Sequence, residues 1–214
     1  MRTLKLDIVS DVVCPWCVIG FKRLQLAMRE LAGELRFELD WHPFELNPHM
    51  PPEGEDAAEH LIRKYGMSAE QVQQNGEHIA AIGRQLGFTF RMAPGRRIYN
   101  TFAAHRVLYW ARAQGRQTEL SLALFRAYFS DGLNPSDPAV LRREAEAVGL
   151  DGEEVSAIVA EDRYAQEVRA EEERYTSAGI HAVPAYIVDS QYLISGAQEP
   201  ATFVKAFRHI AELR

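Results

Sequence analysis

Leu4-Lys5-Leu6-Asp7-Ile8-Val9-Ser10-Asp11-Val12-Val13-Cys14-Pro15-Trp16-Cys17 is the stretch on which the fold turns. Residues 4–9 are largely apolar with one interior acid, Asp7, and read as a short strand. After a brief turn, Cys17, Phe21, Leu24, Met28 and Leu31 alternate steps of four and three, which is one face of a helix. Gly33 is the expected stop. Leu35 to Trp41 then alternates apolar and polar residues, a second strand. Strand, helix and strand in so short a span make a βαβ unit with parallel strands and a right-handed crossover.

Outward from that unit, the Pro-dense segment 47–55 reads as a loop. From 56 to 179 the pattern is helical, with no convincing strand. Ser68 and Gln71 form a capping box opening a helix that runs to Leu86, and residues 87–97 are a loop. Helices are expected over 100–113, over 118–129 and from the Asp137-Pro138 start to Val148, with one or two more in 152–178. The 118–129 helix is apolar on most faces and so belongs inside. Strand character returns at 182–188 and 192–195 around Asp189-Ser190-Gln191, a hairpin pattern. A last helix from Pro200 buries Phe203, Phe207 and Ile210. The order βαβ, helices, hairpin, helix implies an α/β core of residues 1–55 and 180–214, with 56–179 as an inserted all-helical domain.

The cysteine pair carries chemistry because of where it falls. Pro15 suits the first helical position, where no N–H is needed, so Cys14 sits at the N-cap. Unpaired backbone N–H groups and the positive end of the helix dipole favour an anion there, and the thiolate is the nucleophilic form. Cys17 follows at i+3, about 5–6 Å away, inside the window of about 4.4–6.8 Å that a disulfide accepts. An exposed Cys14 is the expected attacking thiol, and Cys17, facing the core, the resolving one. The redox-active Cys14–Cys17 disulfide then serves in place of any cofactor.

Composition removes other classes. The net charge of −6 resides in residues 151–175, so no basic stripe is left for nucleic acid. No apolar run approaches the roughly 18 residues of a membrane span. Two cysteines without a nearby His-x₃₋₅-His pair do not make a structural zinc site, and no metal is expected. The polar start Met1-Arg2-Thr3 lacks a secretory h-region, which sets a cytoplasmic expectation. His42 and His105 read as structural rather than catalytic, and Asp11 as a turn residue whose charge opposes a Cys14 thiolate.

Asp11-Val12-Val13-Cys14-Pro15-Trp16-Cys17, Trp41-His42-Pro43-Phe44-Glu45-Leu46-Asn47-Pro48, Asn100-Thr101-Phe102-Ala103-Ala104-His105-Arg106, Val183-Pro184 and Ser195-Gly196-Ala197-Gln198 together resemble the FrnE-type branch of the DsbA-like thioredoxin superfamily. The resemblance runs nearly the whole chain. It implies a thioredoxin-like fold with a helical insertion and a protein-disulfide oxidoreductase or isomerase acting on protein or peptide thiols and disulfides, with glutathione or another small thiol as a further partner. It makes Cys14 the nucleophile, Cys17 the resolving thiol and Val183–Pro184 a cis peptide beside them, with Pro15, Trp16 and Val183 on the substrate surface. Asp7 stands about where relatives keep a buried acid that relays a proton to the resolving cysteine. DsbA itself has His between its cysteines; Trp16 here supplies no second cation, so strong oxidising power does not carry over. Kappa-class glutathione transferases and hydroxychromene carboxylate isomerases look similar in architecture but use a single Ser or Cys, so Cys17 speaks against that reading. A peptide-binding chaperone module is the third alternative.

Overall fold

A computed structural model describes residues 1–213. Strand β1 (Arg2–Ser10) is followed by helix α1 (Pro15–Glu30) and strand β2 (Leu35–Pro43). β1 and β2 pair in parallel from Arg2 opposite Leu35 to Ser10 opposite Pro43, so both run past their expected ends. Chain reversal after α1 does not use Gly33, which is absent from the positive-φ positions. Instead the Leu31 carbonyl accepts from Glu34 and Leu35 N–H, both at 2.8 Å, and closes the turn without a left-handed residue.

Helices α2 (Ala57–Tyr65) and α3 (Ala69–Gln85) come next, after the two-residue strand β3 (Glu55–Asp56). β3 pairs with β4 (Arg97–Ile98), a short ladder inside segments expected to be loop or helix. Two-residue strands carry too little periodicity to register in sequence. The ladder also straddles the expected domain boundary at 55. Helix starts follow their caps: Asp56 accepts from Ala58 and Glu59 N–H, and Ser68 with Gln71 completes the capping box. Helices α4 (Phe102–Ala113), α5 (Gln117–Phe129), α6 (Pro138–Ala147), α7 (Gly152–Ala160) and α8 (Ala165–Ser177) complete the helical segment. α5 is buried on most faces, and Leu120, Leu124, Phe125 and Phe129 are sealed from solvent.

Strands β5 (Ala185–Val188) and β6 (Tyr192–Ser195) form the hairpin, and α9 (Pro200–Glu212) ends the chain. Asp189 and Ser190 both take positive φ, 50° and 58°, the backbone that primed hairpin turns require. The sheet order is β2-β1-β5-β6, with β5 antiparallel to β1. The outer edge of β2 is met by a side chain: Gln117 accepts from Trp41 N–H at 2.9 Å and donates to the Trp41 carbonyl at 2.8 Å. At Trp41 that amide mimics a neighbouring strand and covers part of the open edge. Leu4, Leu6 and Ile8 point to the α1 side, in one continuous core with Phe21, Leu24, Phe125 and Phe203. Val9 points to the other side, against Tyr175, Ile180 and Ala185.

Candidate redox site

The cysteines occupy the turn between β1 and α1. Cys14 is the N-cap of α1, with extended backbone (φ −92°, ψ 113°), and Pro15 fills the first helical position. The Cys14 N–H donates to the Asp11 carbonyl at 3.0 Å, and Cys17 N–H donates to the Cys14 carbonyl at 3.1 Å. Both cysteines are unpaired thiols. Cys14 is 3% exposed and Cys17 1%, which corrects the expectation of an exposed attacking thiol. The reason is tertiary: the Val183–Pro184 loop lies over Cys14. That bond is cis, and the Cys14 thiol donates to the Val183 carbonyl at 3.7 Å.

Around this centre, Pro15, Trp16 and Val183 are half-buried, with the Trp16 ring 6.4 Å from that of His78. Tyr65, at the end of α2, is 56% exposed yet close enough that the Cys14 charge, after burial, helps raise its phenol. Gly20, one turn beyond Cys17, has to be glycine: a Cβ there would lie 2.4 Å from the Tyr186 hydroxyl and 3.2 Å from the Ala197 Cα. The Ser195–Gln198 loop is tied to this corner, with Gly196 N–H on the Pro184 carbonyl at 2.8 Å and Arg23 on the Ala197 carbonyl at 2.7 Å.

Burial, reinforced by Cys14 next to it, pushes the Cys17 thiol well above its ordinary value; Ser10 and the Asp11 backbone pull weakly the other way. An alkylating reagent should therefore distinguish the two. With iodoacetamide near neutral pH, Cys14 is expected to label at least about tenfold faster than Cys17, because the thiolate is the reactive form. Peptide mapping by mass spectrometry reads the ratio, and equal labelling would contradict it.

Asp7 departs from the relay role. It is 7% exposed, but it shares the Val9 side of the sheet, away from the α1 side, and His42 Nε2 lies 3.2 Å from its carboxylate. Burial raises its pKa, yet the hydrogen bond and charge of His42 outweigh that, and the net direction is down. A proton relay requires the opposite shift. Ser10 is a polar side chain close enough to Cys17 to favour its ionised form, a partnership no local pattern announces.

Asp11 is more than a turn residue. Fully buried, it accepts from Leu46 N–H at 2.8 Å and Val13 N–H at 3.4 Å, with His105 Nε2 at 3.6 Å. Burial alone would lower the His105 pKa, but Asp11, Glu172 and Glu45 together raise it. The His105 Nε2 lies nearer the Phe44 carbonyl, at 3.2 Å, so the imidazole sits between Asp11 and the chain after β2, while Asp11 itself ties the 11–13 turn to Leu46. His42 is likewise structural: it bridges Asp7 and Glu171, its Nδ1 3.0 Å from the latter. Among the described residues no helix is long and apolar enough to cross a membrane, and no group of His, Cys, Asp and Glu is placed to hold a metal.

Comparison with known proteins agrees with this geometry. A probable DsbA oxidoreductase from Streptomyces coelicolor superposes with a TM-score of 0.91 at 32% identity, over 99% of this chain and 91% of that one. The uncharacterised protein YwbO of Bacillus subtilis is 29% identical over 206 residues, 95% of this chain and 96% of its own. The cytosolic disulfide reductase DsbM from Pseudomonas aeruginosa, solved with GSH, has the same fold at a TM-score of 0.65 and 17% identity, over 97% of this chain and 99% of that one. The model of the DSBA-like thioredoxin domain matches residues 5–208, and the chain belongs to that family of thiol–disulfide oxidoreductases.

Proposed function

We propose that this protein exchanges disulfides with protein or peptide substrates, with Cys14 as nucleophile and Cys17 as resolving thiol, in the manner of the FrnE-type branch. The observation that carries the reading is the dithiol itself: two free cysteines in one helical turn, the first at the N-cap and against the Val183 carbonyl, the second sealed beneath it. The Cys14 thiolate attacks a substrate disulfide, forming a mixed disulfide and expelling one substrate thiolate. Cys17, once deprotonated, attacks the Cys14 sulfur; the second substrate thiolate leaves, and the Cys14–Cys17 disulfide holds the two-electron oxidation. No other redox group is needed for that cycle. The reverse sequence oxidises a substrate dithiol.

Pro15, Trp16 and Val183 border the pair and form the surface on which an extended substrate would lie, with main-chain pairing near Val183 and Pro184. Glutathione or another small thiol returns the pair to its starting state, a reading supported by the same fold in the reductase solved with GSH. That protein's cytosolic setting supports a cytoplasmic location for this one. The cysteine-bearing core of residues 1–55 and 180–214 would supply the chemistry, and the helices of 56–179 the surrounding walls.

The test is to interrupt the cycle. Cys17→Ser leaves the mixed disulfide without a local thiol, so covalent Cys14–substrate adducts should accumulate in cells and resolve on non-reducing gels. A single-thiol glutathione transferase or isomerase would keep most of its activity in Cys17→Ser and trap nothing. Absence of adducts together with retained activity on a small electrophile would overturn the proposal.

A further inference from the structure

Tyr186 presents a deficit that the fold does not explain. It is fully buried on β5, opposite Ile8 of β1 and on the α1 side of the sheet, and its hydroxyl has no hydrogen-bond partner. Tyr128 is equally deep, but it donates to the Arg97 carbonyl at 2.9 Å and accepts from Arg96 at 2.7 Å. An unsatisfied buried hydroxyl costs folding free energy that a phenylalanine at 186 would not, so its presence calls for a use.

Its position suggests one. The hydroxyl is wedged where a Gly20 Cβ would be 2.4 Å away and where the Pro184 ring also reaches. Gly20 stacks one turn along α1 from Cys17, and Pro184 follows the carbonyl that meets the Cys14 thiol. Burial first, and then the charges of Cys17 and Cys14, hold the phenol well above its usual value, so it keeps its proton. Cys17 has the complementary deficit: its sulfur must carry negative charge during exchange in a place that burial makes hostile to it.

We propose that the Tyr186 hydroxyl is a further internal hydrogen-bond donor, beyond Ser10 and the Asp11 backbone, to the Cys17 sulfur whenever that sulfur is ionised. The inference rests on the exchange reading above. The contact is absent from the dithiol form and is made as the Cys17 thiol loses its proton, which is balanced by the substrate thiolate that leaves. Tyr186 transfers nothing: the Cys17 lone pair attacks the Cys14 sulfur, the bond from Cys14 to the substrate sulfur breaks, and the substrate leaves as thiolate. In the oxidising direction the same O–H receives the charge when Cys17 is expelled from the Cys14–Cys17 disulfide.

The test uses the full chain, reduced, mixed with excess Ellman's reagent in a stopped-flow instrument from about pH 6 to 11. A first release of thionitrobenzoate reports Cys14 attack; a second reports resolution by Cys17. In Tyr186→Phe the first phase should be unchanged, while the second slows about tenfold at neutral pH and its midpoint rises by about one pH unit, as expected for loss of a hydrogen bond to a charged group. The two profiles should draw together only toward the alkaline end, since burial holds the Cys17 thiol well above its ordinary value. Incorporation of 3-fluorotyrosine at 186, a stronger donor of nearly the same shape, should move the midpoint the other way and carries the test if the Phe variant does not fold. Superimposable second-phase profiles for folded proteins would overturn the inference. A wild type lacking the second phase would instead overturn the role of Cys17 as resolving thiol.

Discussion

Cys14→Ser is expected to lower dithiol turnover by on the order of a thousandfold or more while leaving the fold intact. A hydroxyl at this place is neutral at any working pH, and it can neither attack a disulfide sulfur nor close one with Cys17. Stability should hold or improve. Cys14 is the N-cap of α1 yet makes no side-chain cap hydrogen bond, and Ser is among the better N-cap residues, contributing about 1 kcal/mol when its oxygen finds a free N–H. Insulin reduction with dithiothreitol measures the loss, and a thermal melt measures the fold. Turnover within a few-fold of wild type in a variant that melts normally would remove Cys14 from the chemistry.

The second large effect lies on the opposite side of the sheet. Arg112→Ala is expected to destabilise the protein by about 3 kcal/mol, because removing one partner strands the others in a largely buried network. Arg112, on α4, donates to both Glu171 oxygens at 2.7 and 3.0 Å and to the Trp41 carbonyl at 2.8 Å. Glu171, on α8, also meets His42, which in turn meets Asp7. The network therefore ties two helices to the two parallel strands. Arg116→Ala provides the control, since its pair with Glu119 is half-exposed at both ends and should be worth less than about 1 kcal/mol.

The same network gives a pH dependence. Burial raises the Glu171 carboxyl, but hydrogen bonds and charge from His42 and Arg112 override it and bring it down to about 2, from an ordinary 4.5. A depressed carboxyl contributes stability that is full above 4.5 and lost as pH falls toward 2. After allowance for partial exposure this amounts to about 2–3 kcal/mol. His42 acts in the reverse sense. Its pKa is raised despite burial, so its contribution is full below 6.5 and fades as pH rises through the folded value. Urea melts across pH should show the acid loss in wild type and a shallower one in Arg112→Ala. Parallel acid slopes would contradict the assignment to this network.

Features set by neighbours in the chain were legible in the residues alone. The period of Cys17, Phe21 and Leu24 placed α1, Pro15 put Cys14 at its N-cap, and Ser68 with Gln71 opened α3 as a capping box. These depend on contacts three or four residues apart, which a linear pattern encodes. Gly33 is the local exception: it does not cap α1, because the Leu31 carbonyl closes the turn through Glu34 and Leu35. The rest was decided by residues far apart in sequence. Cys14 is covered by a loop 169 positions away, and Asp7 is claimed by a histidine 35 positions on, which reverses the direction of its pKa. Tyr186 reads in sequence as one more strand aromatic, and only the approach of Gly20 and Pro184 shows where its hydroxyl sits. Periodicity and caps determine which way a side chain faces, whereas burial, pairing and charge state depend on what arrives opposite it, and that is settled only when distant segments pack.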